Sequence, residues 1–283
     1  MGRFDLRTRN GLIYPIMQGI SPVSPILDLY PTAQAAYSLR LLNSSYTGSA
    51  IRVRRSSDNA EQNIGFIDID LNTTELLNFV GAGNGFVSIW YDQSGNLKNA
   101  SQTTAANQPQ IVTSGVLETQ LGKPAVKFLR VNNHGLITSV TINNPFSIIG
   151  VVSQDFTTVT NTRIFNSSSA SPNSIISLRR SDGLLVYNNT LILSSWNSAI
   201  NNRPYLLSFL RQTSTSFIYQ DNQVVPNSST QSANWGGFQM STPTHSTAEP
   251  FAGKISEAII YPVNQNSNIS GIHSNINTYY SIY

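Results

Sequence analysis

The chain has no cysteine in its 283 residues. Disulfides, thiolate metal sites and cysteine nucleophiles are excluded, so stability must come from core packing and assembly contacts. Charge is scarce too. Asp, Glu, Lys and Arg make up 11% of the residues, against about 25% in an average globular protein. The 17 basic and 14 acidic side chains leave a net charge of +3, a small excess rather than a basic surface. The one basic cluster, Arg52, Arg54 and Arg55, has no basic support nearby. Nucleic-acid binding wants Lys and Arg gathered along one face, so no nucleic-acid partner is expected. No apolar run reaches the length of a transmembrane helix, and no membrane insertion is expected. The first 25 residues carry charge but no continuous apolar stretch, so they are not expected to act as a secretory signal. Glutamate is absent between Glu118 and Glu249.

Apolar residues nevertheless make up 40% of the chain and aromatics 10%. That excludes a disordered chain and suits a strand-rich fold whose outer faces carry neutral polar groups. Short apolar segments separated by Asn, Ser, Gly and Pro predict strands over 125–128, 146–152, 162–165, 174–178, 184–187, 205–210, 216–219 and 254–261. Asp182-Gly183 and Asp221-Asn222 read as hairpin turns. Many short strands at this spacing predict a sandwich or jelly roll. Three helices are expected. One spans 32–43, with Ala35, Tyr37, Leu39 and Leu42 in partial helical period. A second opens at Asn72, with Glu75 three residues on as in a capping box, and is broken by Gly81, Gly83 and Gly85. A third spans 268–283 with Ile269, Ile272, Ile276 and Tyr280 on one side.

Residues 1–26 differ from the rest. Basic residues interleave with apolar ones, then Pro15, Pro22 and Pro25 disfavour helix and central strand. They are expected to form an extended docking arm anchored by Phe4, Leu6, Leu12, Tyr14 and Ile16, ahead of one domain over 27–283.

The densest detail lies between Ala36 and Asn99: an Arg-bearing strand, a capped helix, a Gly-rich turn and an aromatic strand ending in WYDQSGN. The segments AYSLRLLNSSYTGSAIRVRRSSDNAEQNIGF, FVSIWYDQSGN and QPQIV resemble the arabinofuranosidase-B-like catalytic domain, a concanavalin A-like lectin/glucanase sandwich. FAGKISEAIIYP and the closing INTYYSIY look like the last strand and cap of that superfamily. With PILDLYPTAQAAYSLRLL included, the chain is similar to versions of the domain in phage virion proteins. The resemblance spans roughly 27–283. It is specific over 36–112 and 251–283, and architectural between them. It implies an all-β concanavalin A-like jelly roll with a few short helices.

The resemblance also implies a carboxylate pair after the WYDQSGN block. A retaining glycosidase needs two carboxyls about 5–5.5 Å apart. Only Asp155, Asp182 and Asp221 lie in the Glu-free interval, and none matches a catalytic motif. The expectation is therefore a non-enzymatic virion structural protein. Its roles would be capsid decoration, a head fibre or a tail-associated protein. It would sit at the virion surface, joined to other virion proteins through the arm, as a homo-oligomer whose outward sandwich binds host-surface glycans. The alternative is a glycoside hydrolase of arabinofuranosidase type acting on surface polysaccharide; a spacer without a ligand is the third reading. Candidate glycan contacts are Trp196, Trp235, Asp92 and Asn96. The last two read equally as caps of a tight turn, and the tryptophans as loop anchors. Arg52 and Arg54 are expected to pair with Asp58 or Glu61 in a buried network, with an anionic-sugar site as the competing reading. His134, His245 and His273 are too scattered for zinc. No cofactor is expected, and a structural calcium ion stays open.

Overall fold

A computed structural model describes residues 6–9, 12–15, 23–155, 161–168, 174–179, 183–188, 190–193, 200–213, 215–225, 234–241 and 250–283. The fold is the all-β sandwich of concanavalin A-like type, with three short α-helices among the described residues. One sheet runs, in spatial order, through the strands Glu61–Ile64, Ile51–Arg55, Gly85–Trp90, Ala100–Ser101, Leu136–Ile142, Gly236–Met240, Asn161–Asn166, Ser174–Arg179, Gly183–Asn188 and Thr190–Leu193. The other runs through Gln223–Val225, Thr215–Gln220, Pro204–Gln212, Phe146–Gln154 and Gly253–Tyr261. The last of these pairs at its start with Val126–Phe128 and at its end with Ala35–Ser38. Gln110–Thr113 pairs with both Val126–Phe128 and Gly85–Trp90, so it stitches the two sheets together along one side.

Strand alternation sorts the apolar residues into two layers. Ile148, Val152, Phe209, Ile255, Ala258 and Ile260 join the main cluster between the sheets. Ile149, Val151, Leu206, Leu210, Ile259 and Tyr261 face the other way, into a second cluster with the helix Ile269–Tyr280. The strand Phe146–Gln154 is consequently buried along its whole length, which is why its sequence lacks a polar alternation. At Gly150 the Phe165 ring of the facing sheet takes the place of a side chain. A Cβ there would lie 2.5 Å from the Phe165 ring.

The expected strands all form, most of them a residue or two longer than predicted. Asp221 and Asn222 both take positive φ, 51° and 63°, between the paired residues Gln220 and Gln223, as a two-residue hairpin turn requires. Asp182 lies outside the described residues. The helix Thr73–Val80 starts at Asn72, whose side chain accepts the Glu75 N–H. The terminal helix buries Ile269, Ile272, Ile276 and Tyr280 as expected.

The helix expected over 32–43 does not form. Ala35–Ser38 is a strand paired with Glu257–Ile260. Ala35 and Tyr37 face the main core, and Ala36 the second cluster. That is a period of two, imposed by a sheet edge that needed a partner and overriding alanine's helical preference. The short helix of this region is Ile26–Leu29, with Ile26 and Leu27 buried. The arm also departs from a simple extended segment. Leu6–Arg9 pairs with Leu12–Pro15 in a two-stranded sheet of its own. Leu6, Leu12 and Tyr14 lie on this hairpin, while Phe4 and Ile16 fall outside the described residues.

One polar cluster fastens these parts. Arg40 and Glu257 are each 1% exposed and form a bidentate pair, Nε to Oε2 at 2.8 Å and Nη2 to Oε1 at 2.9 Å. Ser38 Oγ donates to Glu257 Oε2 at 2.8 Å, and Arg40 Nη1 donates to Asn275 Oδ1 of the terminal helix at 2.9 Å. The guanidinium also lies 4.9 Å from the Tyr279 ring centre. Gln93 Nε2 donates to the carbonyls of Ser38 and Arg40. The end of the strand Ala35–Ser38 with the residues after it, the last strand, the WYDQSGN turn and the terminal helix thus meet at one ion pair. Removing one partner strands a buried charge. Arg40→Ala is expected to cost about 3–5 kcal/mol in urea unfolding. Arg40→Met combined with Glu257→Leu should lose clearly less than the two single changes summed.

Candidate functional site

Asp92, a candidate glycan contact that also read as the cap of a tight turn, is 2% exposed. Its Oδ1 accepts the N–H groups of Ala36 (2.8 Å) and Ser94 (2.9 Å), and its Oδ2 accepts Ser94 Oγ (2.8 Å) and the Lys98 N–H (3.0 Å). Four bonds fill a carboxylate, so Asp92 anchors the turn. Asn96 is exposed, but its amide N–H groups donate to the Ala33 and Gln34 carbonyls at 3.0 and 3.2 Å. Trp235, read as a stacking platform, is fully buried between Phe146 and Phe209, with ring centres 6.1 and 6.0 Å away. The chain enters the strand Gly236–Met240 directly after it, which turns the indole inward. Trp196 lies outside the described residues.

The arginine network is at the surface, not buried. Arg52 approaches Glu61 at 3.9 Å with both side chains more than a third exposed. Arg54 donates to Gln108, Asn59 and the Ala105 carbonyl. The partner of Asp58 is Arg55, through two bonds of 2.9 and 2.7 Å. Exposed pairs of this kind contribute little to stability. His134 and His273 are wholly buried, and burial pushes both down to about 4. His273 bonds Ser208 and Asn222 and fastens the terminal helix to the sheet. His245 lies outside the described residues. Among the described residues no three His, Asp or Glu side chains converge as a metal site would need.

The geometry instead brings chemistry together at one end of the second sheet. Lys127, Lys254, Ser153 and Pro204 occupy directly paired positions on four neighbouring strands. The hairpin Thr119–Gln120 with Lys123–Pro124 stands over this row. Gln120 pins it, donating to Ser256 Oγ and accepting from Ser153 Oγ, each at 2.8 Å. Asp155 and Asn202 form the opposite wall. The Asp155 N–H is held by the Ala252 carbonyl (2.9 Å), and the Asn202 N–H by the Gln154 carbonyl (2.8 Å). Between the walls lies a two-lobed cleft. The larger lobe has a volume of about 490 Å³ and the smaller about 110 Å³. Lys127, Asp155, Asn202 and Lys254 line both. Leu121 and Val131, 46% and 85% exposed, stand at the lining as apolar contacts.

Glu118 underlies the two lysines. Its Oε1 lies 2.8 Å from Lys127 Nζ and its Oε2 2.9 Å from Lys254 Nζ; Thr113 Oγ1 donates to Oε1 at 2.7 Å. Burial alone would raise this carboxyl. The bonds from the two ammonium groups and Thr113 outweigh it and hold the group at about 2. Asp155 was weighed from the sequence only as an edge residue. Lys127, Lys254 and Glu118 were missed. The available signal was a lone lysine inside each of two apolar strands, AVKFL and AGKIS, where a solvated position is unusual.

No known family model matches the chain, and no curated protein sequence matches it. Solved structures do. An arabinofuranosidase described as "GH54 a-l-arabinofuranosidase soaked with cyclic sulfate inhibitor" aligns with a TM-score of 0.65 at 16% identity, covering 89% of this chain and 64% of that one. An arabinofuranosidase complexed with arabinofuranosyl-alpha-1,2-xylobiose aligns with a TM-score of 0.62 at 18% identity over the same shares. A Trypanosoma rangeli sialidase aligns with a TM-score of 0.50 at 13% identity, over 68% of this chain and 31% of that one. This chain spans about 64% of the length of the arabinofuranosidases it matches. At such identities the likeness establishes the fold, one used by glycoside hydrolases. It overturns the non-enzymatic expectation, because the neighbours of the fold are enzymes. An unmatched catalytic motif is no ground for excluding chemistry when identity is this low.

Glu118 gives this region a pH signature. An unfolded glutamate titrates near 4.5, the folded one near 2. The stability it contributes is complete above about pH 4.5 and is lost as pH falls through 2. Glu118→Gln is expected to lower the melting temperature at pH 7 and to flatten its fall between pH 4.5 and 2 in a thermal-melt series.

Proposed function

We propose that this protein is a glycoside hydrolase acting on furanoside-bearing polysaccharide, with the cleft between the hairpin 119–124 and Asp155 as its substrate site. The observation that carries the reading is Asp155 lining a polar cleft in a sandwich of the arabinofuranosidase fold. A glycosidase needs a carboxyl that exchanges a proton with the leaving oxygen, and Asp155, in the lining of the cleft, is the carboxyl assigned that role. Glu118 lies beneath and holds the two lysines in place. Asn202 offers a neutral amide to sugar hydroxyls, and Leu121 and Val131 offer apolar surface to the C–H faces of a ring. Polar groups in a mostly preformed concavity are the usual composition of such sites.

The test is release of 4-nitrophenol from 4-nitrophenyl α-L-arabinofuranoside. Asp155→Asn is expected to lower kcat by about 10²–10⁴ in protein that still folds by circular dichroism, the range for loss of a general acid–base group. No turnover by the unmodified protein, or full turnover by Asp155→Asn, would refute the assignment.

A place on a virus particle, with the N-terminal hairpin as the docking element, belongs to the same proposal. It is supported by the pairing of Leu6–Arg9 with Leu12–Pro15 apart from the main sheets. A chain lacking residues 1–22 should keep its melting temperature and lose incorporation into particles, read by immunoblot of purified virions.

A further inference from the structure

We infer that the cleft recognises an anionic substituent on its glycan, a carboxylate or phosphate seated between Lys127 and Lys254. The inference deepens the proposed function and rests on the cleft being the glycan site.

The first ground is placement. Two lysines at directly opposed positions of neighbouring strands repel, and such pairs destabilise a sheet. Here both stay together, 30% and 27% exposed, on the floor of one cleft. The second ground is donor accounting. An ammonium carries three N–H groups. Lys127 Nζ spends one on Glu118 Oε1. Lys254 Nζ spends one on Glu118 Oε2 and one on the Thr119 carbonyl. Two donors of Lys127 and one of Lys254 therefore have no partner among the described residues, and both side chains line the cleft.

The third ground is that Glu118 cannot cancel the pair. It is 12% exposed, lies outside the cleft lining and is one carboxylate serving two cations. Neutral sugar hydroxyls would use these donors at the strength of ordinary hydrogen bonds. An anionic oxygen would use them in charge-assisted bonds, which are shorter and about twice as strong. Two ammonium groups on adjacent strands can engage two oxygens of one carboxylate or phosphate. A substituent seated on the lysine side leaves the glycosidic bond toward Asp155 on the far wall. Orientation, as much as affinity, is what the cation pair provides.

Isothermal titration of the full chain at low salt tests this with four probes: trigalacturonate, its full methyl ester, 6-phosphorylated mannotriose and plain mannotriose. The expected result is about tenfold tighter binding of an anionic probe than of its neutral counterpart, the scale of one charge-assisted bond, with the preference fading above about 0.5 M salt. Whichever anionic probe binds tighter identifies the source of the charge. Lys127→Met should erase the preference and Lys127→Arg should keep it. A preference erased in both variants while their melting temperatures stay unchanged would overturn the role of Lys127. Equal binding of charged and neutral probes overturns the inference and leaves the glycan cleft standing. Binding of no probe overturns the inference alone where hydrolysis still depends on Asp155, and overturns both readings where it does not.

Discussion

The bidentate pair between Arg40 and Glu257 is the constraint on which the rest of this architecture hangs. The strand Gly253–Tyr261 ends the run of long strands in the second sheet, beside Phe146–Gln154, and Glu257 projects from its outer face. Left alone there, a carboxylate would forbid the terminal helix from packing, because an unpaired buried charge is expensive. Paired with Arg40, and accepting from Ser38, it becomes a joint through which the helix reaches the sheet by way of Asn275. The guanidinium in turn requires residues 38–42 to run where they do, and Gln93 holds their carbonyls in place. The Arg-strand, capped-helix and WYDQSGN block is thus a scaffold. Asp92 and Asn96 look like binding residues in the sequence because an anchored turn and a sugar site draw on the same side chains.

The cleft depends on that scaffold at one remove. With the terminal helix covering one end of the second sheet's outer face, the other end is left to the hairpin Thr119–Pro124. Lys123 of this hairpin reaches Asp70 at 3.4 Å and lies 4.0 Å from the centre of the Tyr279 ring on the helix. The hairpin stands off the sheet on Gln120, and the space beneath it holds Lys127, Lys254 and Glu118. A protein with only 31 charged side chains has collected Lys127, Arg130, Lys254 and Asp155 in the lining of one cleft, with Glu118 bonded to two of them. Glu118 bridges the two lysines, and the N–H groups it leaves over are those the inferred anionic substituent would take.

Much of the strand plan was legible because strands announce themselves locally. Alternation, β-branched residues and turn dipeptides such as Asp221-Asn222 act over a handful of residues. The helices at Thr73 and Ile269 were legible for the same reason, one through its cap and the other through its period. The segment 32–43 was not, because its alanines favour a helix locally and only the open edge of Gly253–Tyr261 makes them a strand. Trp235 misled for a related reason. Its neighbours Asn, Gly and Gly look like a loop, and only the return of the next strand buries the indole.

The sequence by itself determined the class of the protein: a cysteine-free, charge-poor β-sandwich with a terminal helix. Composition and short-range periodicity are sums over local choices, and local choices suffice for that. Which polar residues face solvent, which are buried and which meet was decided only in three dimensions. Glu118, Lys127, Asp155, Asn202 and Lys254 come from five separate stretches of chain. They meet because strand order, and not sequence order, sets the neighbours across a sheet. The Glu-free middle of the chain suggested that no site was there. The fold places Asp155, from within that interval, in the lining of a cleft, and Glu118, from before it, beside two of the cleft's lysines.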